Sequence, residues 1–115
     1  MIAAPPTTRT VSPETVTPIK PSEAIRLGCL LAPVQAFGAF EDGPGTACVL
    51  GAMNLGLGRA INDSNLYPPP SFEVIYRQPC AANPRHVGLA SPAHLNDHHH
   101  WTRERIADWL EGLGY

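Results

Sequence analysis

The sequence predicts a mainly α-helical domain, a compact bundle of about four short helices with long Pro/Gly-rich loops and an extended N-terminal arm. Its 115 residues are enough for one domain. The 13 prolines and 10 glycines exclude long, regular helices. Apolar residues recur at helical spacing in the first and last predicted helices, whereas the one candidate strand has no convincing partner. We therefore divide the chain into an arm, residues 1–21, and a helical domain, residues 22–115.

The arm has five prolines interspersed with threonines, a composition that favours extended backbone and buries too little apolar surface to fold alone. Its apolar side chains are the predicted partner-binding residues, and they could dock either onto the arm's own domain or onto another chain. These residues are Ile2, Val11, Val16 and Ile19.

The first helix is predicted to begin at Ser22, its N-cap, and to end near Ala32, before Pro33. Glu23 suits the positive end of this helix. Helical spacing gives it an apolar stripe with two flanking residues, which we expect to face the core. This set comprises Ala24, Leu27, Gly28, Leu31, Ile25 and Cys29.

A second helix is predicted from Thr46, its cap, to Leu55, with two nearby glycines as stops. It has no charged residue, which is typical of a central helix, and its small residues allow close packing of its neighbours. Phe37 and Phe40, in the link before it, are expected to fill the core.

Residues 72–76 alternate like a strand, but we favour a helical turn because a lone strand leaves its backbone groups unpaired. A short helix is predicted over 92–99. Thr102 caps the last helix, Trp101 is expected to pack on Ile106, and Arg105 is expected to pair with Asp108. Its apolar stripe comprises Ile106, Trp109, Leu110 and Leu113.

Charge and motifs exclude several function classes. A net charge of -2, with a single lysine among eight basic residues, argues against nucleic-acid binding. Three widely spaced cysteines argue against a secreted disulfide scaffold and favour the cytoplasm. We expect no membrane segment and no cofactor, because no long apolar run or nucleotide-binding motif is present. A nucleophilic Cys–His pair would lack an orienting third group, so we do not expect an enzyme.

The histidines are the only concentrated polar chemistry. Cys80, His86, His94 and His98 are candidate metal ligands, since the last two share one helix face and the four suit tetrahedral zinc. The chain has no paired C-x-x-C motif, so the alternative is that the histidines form a solvated junction between a helix and a turn.

Three stretches, SEAIRLG (22–28), CVLGA (48–52) and LND followed by WTRERIADWL (95–110), resemble a pattern in small uncharacterised bacterial and phage proteins. Some members of that group carry a C-P-x-C motif before the LND segment, where this chain has Cys80 alone. The resemblance implies no activity. It supports the domain boundaries and a cytoplasmic origin, and it suggests that Asn96 and Asp97 bond local backbone at a helix end.

Together these observations predict a non-catalytic accessory or structural subunit that binds a protein partner, or a second copy of itself, through the arm. The alternative prediction is a small zinc-binding regulatory protein that uses Cys80 with His94 and His98.

Overall fold

The computed structural model describes residues 19–39, 43–59, 69–83, 85–86 and 91–115. Within these ranges lie a 3₁₀ helix, Pro70–Arg77, and a parallel pair of strands, β1 (Val34–Gln35) and β2 (Thr46–Ala47). The α-helices are α1 (Pro21–Leu31), α2 (Val49–Gly56), α3 (Ser91–Asp97) and α4 (Arg103–Gly112). The predicted mainly α-helical fold class is confirmed, and residues 72–76 are helical as favoured. None of the described helices is long and apolar enough to cross a membrane.

Helices α1 and α2 cross at small residues. A Cβ on Gly28 would lie 1.7 Å from the Ala52 carbonyl oxygen, and one on Gly56 would lie 1.8 Å from that of Ala24. Each helix therefore contributes an alanine and a glycine four residues apart, and the two pairs meet in antiparallel order. This contact brings the backbones closer together than larger side chains would allow.

The buried side of α1 differs from the predicted stripe. Ala24, Ile25 and Gly28 are buried, but Leu27 and Leu31 are exposed, because the small residues that α2 requires turn the leucines outward. The predicted Ser22 cap is also wrong. Pro21 already begins the helix, so its N-cap is Lys20. The Lys20 backbone N–H donates to the carboxylate of Glu23 at 2.9 Å.

Thr46 belongs to β2 and does not cap α2. The Val34 N–H donates to the Gly45 carbonyl at 3.1 Å, and the Ala36 N–H donates to the Ala47 carbonyl at 3.0 Å. The backbone of residues 46–47 is therefore used in the strand pair, and α2 begins two residues later than predicted. Its N-cap is Cys48, whose Sγ accepts the Gly51 N–H at 3.4 Å.

Helix α4 begins as predicted, with the Thr102 hydroxyl accepting the Arg105 N–H at 3.1 Å. Next to this cap, the buried guanidinium of Arg103 donates to the carbonyls of Ala32, Pro33 and Ala47. Arg103 thus ties α4 to the end of α1 and to β2.

The predicted pairing of Arg105 with Asp108 is wrong. Asp108 pairs with Arg26 of α1 at 2.7 Å, and the Arg105 guanidinium lies 3.7 Å above the Trp101 ring.

One hydrophobic core joins the helices to the 3₁₀ segment. Phe37 is outside it, about half exposed, with its ring tilted against that of His100, so its predicted core role is wrong; Phe40 lies outside the described residues. The largest fully buried apolar side chains of the core are Ile25, Val49, Met53, Ile75, Leu95, Ile106 and Leu110.

Candidate metal centre

One cysteine and three histidines come together beside α3. The ligand atoms of Cys80, His86, His94 and His99 all lie within 4.8 Å of one another. In tetrahedral zinc sites with bonds of about 2.0–2.3 Å, neighbouring ligand atoms lie roughly 3.3–3.8 Å apart. The four groups can therefore close around a zinc ion when their widest pair moves by about an ångström.

Three separate segments supply these ligands. Cys80 is buried just beyond the 3₁₀ helix, His86 lies in the following loop, and His94 is on α3. The Ser91 hydroxyl, at the start of α3, donates to the Gln78 carbonyl and so fastens the cysteine-bearing loop to the helix. The site thus brings together groups that are distant in sequence.

The His86 ring is oriented by its own loop. Asn83 Oδ1 accepts the Arg85 N–H at 3.1 Å, which turns the amide nitrogen of Asn83 towards His86 Nε2, 3.2 Å away. The other ring nitrogen of His86 then lies 3.0 Å from Nε2 of His94. Because an amide nitrogen only donates, His86 Nε2 accepts in this contact and Nδ1 carries the proton. A metal bound at Nδ1 would shift that proton to Nε2, and the Asn83 amide would then turn its oxygen to accept it.

His99, and not His98, completes the group. Helix α3 ends at Asp97, and the chain then turns through His100, which has a positive φ of 54°. The backbone N–H groups of both His98 and His99 approach the His94 carbonyl within this turn. Nε2 of His99 is buried and has no hydrogen-bond partner among the described residues.

Of the other predicted candidates, Cys80, His86 and His94 lie together in this group, while the exposed His98 ring stacks on His94 with centroids 4.9 Å apart. The i, i+4 spacing predicted His98 because it assumes that the helix continues beyond Asp97. The sequence does contain a signal for His99. Because Thr102 caps the next helix, α3 must end before it, and a turn at the three histidines places His99 instead of His98 beside His94.

Burial lowers the pKa of His94, because the charged imidazolium loses water. The neighbouring imidazoles lower this pKa further, because a positive charge on any of them repels one on His94. The pKa of His99 is lowered for the same reasons. The lowered pKa values favour the neutral form of both rings, which is the form that binds a metal.

The predicted partner-binding residues are only partly described. Ile2, Val11 and Val16 lie outside the described residues. Ile19, the last of the four, is partly buried and packs against the hydrophobic core of its own chain.

Asn96 and Asp97 bond distant segments as well as each other, so the expectation of purely local bonding is wrong. Asn96 accepts the Val49 N–H at 3.0 Å and donates to the Ala36 carbonyl at 2.9 Å. Asp97 accepts the Gly38 N–H at 2.9 Å. These bonds fix the end of α3, and with it the turn that carries His99.

The chain matches no protein-family model, no curated protein and no solved structure. The geometry of the site therefore carries the argument about function.

Proposed function

We propose that this chain is a small zinc-binding protein in which Cys80, His86, His94 and His99 hold a structural zinc ion. The observation that carries the proposal is the meeting of four ligand atoms, from three segments of chain, within 4.8 Å. One thiolate with three imidazoles is a ligand set that suits zinc.

The ligand number favours a structural over a catalytic zinc. A catalytic zinc keeps one position for water or substrate, whereas four protein ligands fill a tetrahedron. The proposal therefore retains a non-catalytic role. It also fits a reducing cytoplasm, where Cys80 stays a thiol until it binds the metal and Cys29 and Cys48 stay free.

Zinc content and affinity of the purified full-length chain test this proposal. We expect equimolar zinc by elemental analysis, and a cobalt(II)-loaded form with tetrahedral ligand-field absorption and a thiolate-to-cobalt charge-transfer band. His99→Ala should weaken zinc binding by more than the roughly 10- to 100-fold that loss of an outer hydrogen bond to a ligand costs.

Two matched variants serve as controls. His98→Ala removes the neighbouring exposed imidazole and should leave the zinc affinity within about twofold. Cys80→Ser should abolish the charge-transfer band, whereas Cys29→Ser should preserve it. Purified chain without stoichiometric zinc after reconstitution, or equal losses in His98→Ala and His99→Ala, would contradict the proposal.

A second candidate function is the accessory subunit that binds a protein partner or a second copy through residues 1–21. It is supported by the composition of this segment, whose prolines and few apolar residues bury too little surface to fold alone and therefore favour docking on another surface. Deleting residues 1–20 should abolish assembly, measured by size exclusion with light scattering, while the helical circular dichroism is kept. Unchanged assembly would contradict this second candidate.

A further inference from the structure

Large apolar side chains are exposed where α1 leads into β1. Leu27, Leu30 and Leu31 share one side of α1, with 46%, 78% and 64% of their surfaces exposed. Val34 and Phe37 follow, 59% and 47% exposed. We call these five residues the α1 face. Single exposed apolar residues are ordinary, but five within so short a stretch indicate a surface that is covered.

The chain has no charge across this region. Residues 27–39 contain no Asp, Glu, Lys or Arg. Arg26, which precedes them, is engaged with Asp108 and Glu111 at 2.7 Å each. The charged groups that reach this stretch from α3 and α4 are used in hydrogen bonds to its backbone: Arg103 donates to the Ala32 and Pro33 carbonyls, and Asp97 accepts the Gly38 N–H. The occupant of the α1 face should therefore be apolar and low in charge, because a charged group placed here would lose water without gaining a partner.

Residues 1–18 meet that description. They contain two charged side chains, Arg9 and Glu14, and the apolar residues Ile2, Val11 and Val16. Extended at roughly 3.1 Å per residue, the segment can reach about 55 Å. Helix α1 has 11 residues and is about 16 Å long at 1.5 Å per residue, so a third of the segment is enough to follow it.

The attachment point also favours this segment. Ile19 packs on the core and the Lys20 N–H donates to the Glu23 carboxylate at 2.9 Å, so the segment joins the fold at the start of α1 itself. A tethered segment acts at an effective concentration on the order of millimolar. A second copy of the chain would need a comparable concentration in solution to compete for the same face.

We infer that residues 1–18 dock on the α1 face of their own chain. The contact is apolar, between the valines of the segment and the leucines of α1. This inference goes beyond the proposed zinc site and is independent of it. It is compatible with partner binding, since a partner could take the segment from the face.

Trypsin provides a direct test, because Arg9 is the only lysine or arginine before Lys20 and Pro21 blocks cleavage after Lys20. In the full chain we expect cleavage after Arg9 to be roughly tenfold slower than in a synthetic peptide of residues 1–20, because cleavage follows the undocked population. Leu30→Asp should raise the rate to that of the peptide. Leu113→Asp, at an exposed leucine of similar burial to Leu27, should not change it.

Several outcomes would overturn the inference. One is cleavage as fast in the full chain as in the peptide, and another is no effect of Leu30→Asp. A dimer in light scattering that Leu30→Asp dissociates would assign the α1 face to a second copy. If Leu30→Asp does not fold, Val16→Asp must produce the same acceleration. Zinc content should stay equimolar in every folded variant, so failure here is distinguishable from failure of the zinc proposal.

Discussion

Asn96 is fully buried and its side-chain amide is saturated with hydrogen bonds. Its oxygen accepts from Gln35 and from the Val49 N–H, while its nitrogen donates to the Ala36 carbonyl and to Asp97. Asn96→Asp would replace the donating amide nitrogen with a carboxylate oxygen. The two hydrogen bonds donated to the Ala36 carbonyl and Asp97 would be lost, and a negative charge would face these two acceptors. We expect the free energy of unfolding to fall by about 2–5 kcal/mol, since a buried donor is lost and an unpaired charge is introduced.

Chemical denaturation measures this loss. The matched control is Gln78→Glu, the same amide-to-acid change at a side chain whose hydrogen bond to the Val74 carbonyl is exposed. It should change the free energy of unfolding by less than about 0.5 kcal/mol. Equal effects of the two variants would contradict the role given to Asn96.

The thiols of Cys29 and Cys48 are expected to react slowly. Burial raises the pKa of Cys29 from 9.0 to about 11, and it also raises the pKa of Cys48. The reactive thiolate of Cys29 is therefore scarce at pH 8, and its alkylation by iodoacetamide should keep rising with pH up to about 11. A free cysteine reaches its plateau about two pH units earlier.

Mass spectrometry of the digested chain separates the sites. Urea-unfolded chain is the control, in which both thiols should follow the profile of a free cysteine. A plateau for native Cys29 near pH 9 would contradict the expected protection.

Residue types alone identified three of the four residues of the proposed zinc site. Cys80, His86 and His94 were predicted because cysteine and histidine are the residues zinc prefers, and the structure brings them together. His99 was missed because its place depends on where α3 ends. Helix ends are decided by tertiary bonds, here those of Asn96 and Asp97 to distant backbone, which periodicity does not reveal.

The crossing of α1 and α2 is expected to be intolerant of a single added methyl group. Gly28→Ala and Gly56→Ala each place a Cβ less than 2 Å from a backbone carbonyl oxygen, so the helices must separate. We expect each variant to lose about 2–4 kcal/mol of unfolding free energy through overpacking and lost contacts along the crossing.

Thermal denaturation of the full chain compares these variants with Gly112→Ala. A Cβ at Gly112, in the last turn of α4, meets nothing within 4 Å, so this change should be neutral or stabilising by up to about 1 kcal/mol. Similar melting temperatures for Gly28→Ala and Gly112→Ala would contradict the close crossing.

Helix positions were more predictable than helix faces. Proline and threonine signals located the C-terminal end of α1 and the start of α4 to within about a residue, because these effects are local. The face of α1 depended on its partner: Gly28 and Ala24 must meet α2, and this requirement outweighs the burial of Leu27 and Leu31. The strand pair was also missed, since strands of two residues carry no periodic signal.

The described chain has two regions that are held in different ways. Helices α1, α2 and α4 are joined by the close glycine crossing, by the Arg26 ion pairs and by the Ser22 N–H, which donates to the Tyr115 carbonyl at 3.2 Å. The 3₁₀ helix, the loop through His86, and α3 with the turn after it contribute the buried side chains Phe72, Ile75 and Leu95, and they carry the four residues of the proposed zinc site. We therefore expect the second region to depend on the proposed zinc ion.

Hydrogen exchange with and without a chelator tests how far the zinc ion stabilises the molecule. Zinc adds its binding free energy only to conformations in which its four ligands are assembled, so its removal should favour opening of the region that carries them. Amides of residues 78–83, 85–86 and 91–99 should exchange at least about tenfold faster after chelation, while those of α1 and α2 change by less than about threefold. The His98→Ala chain should behave like the parent, and His99→Ala should exchange like the chelated form. A uniform increase over all described helices would show instead that the zinc ion supports the whole fold as one cooperative unit.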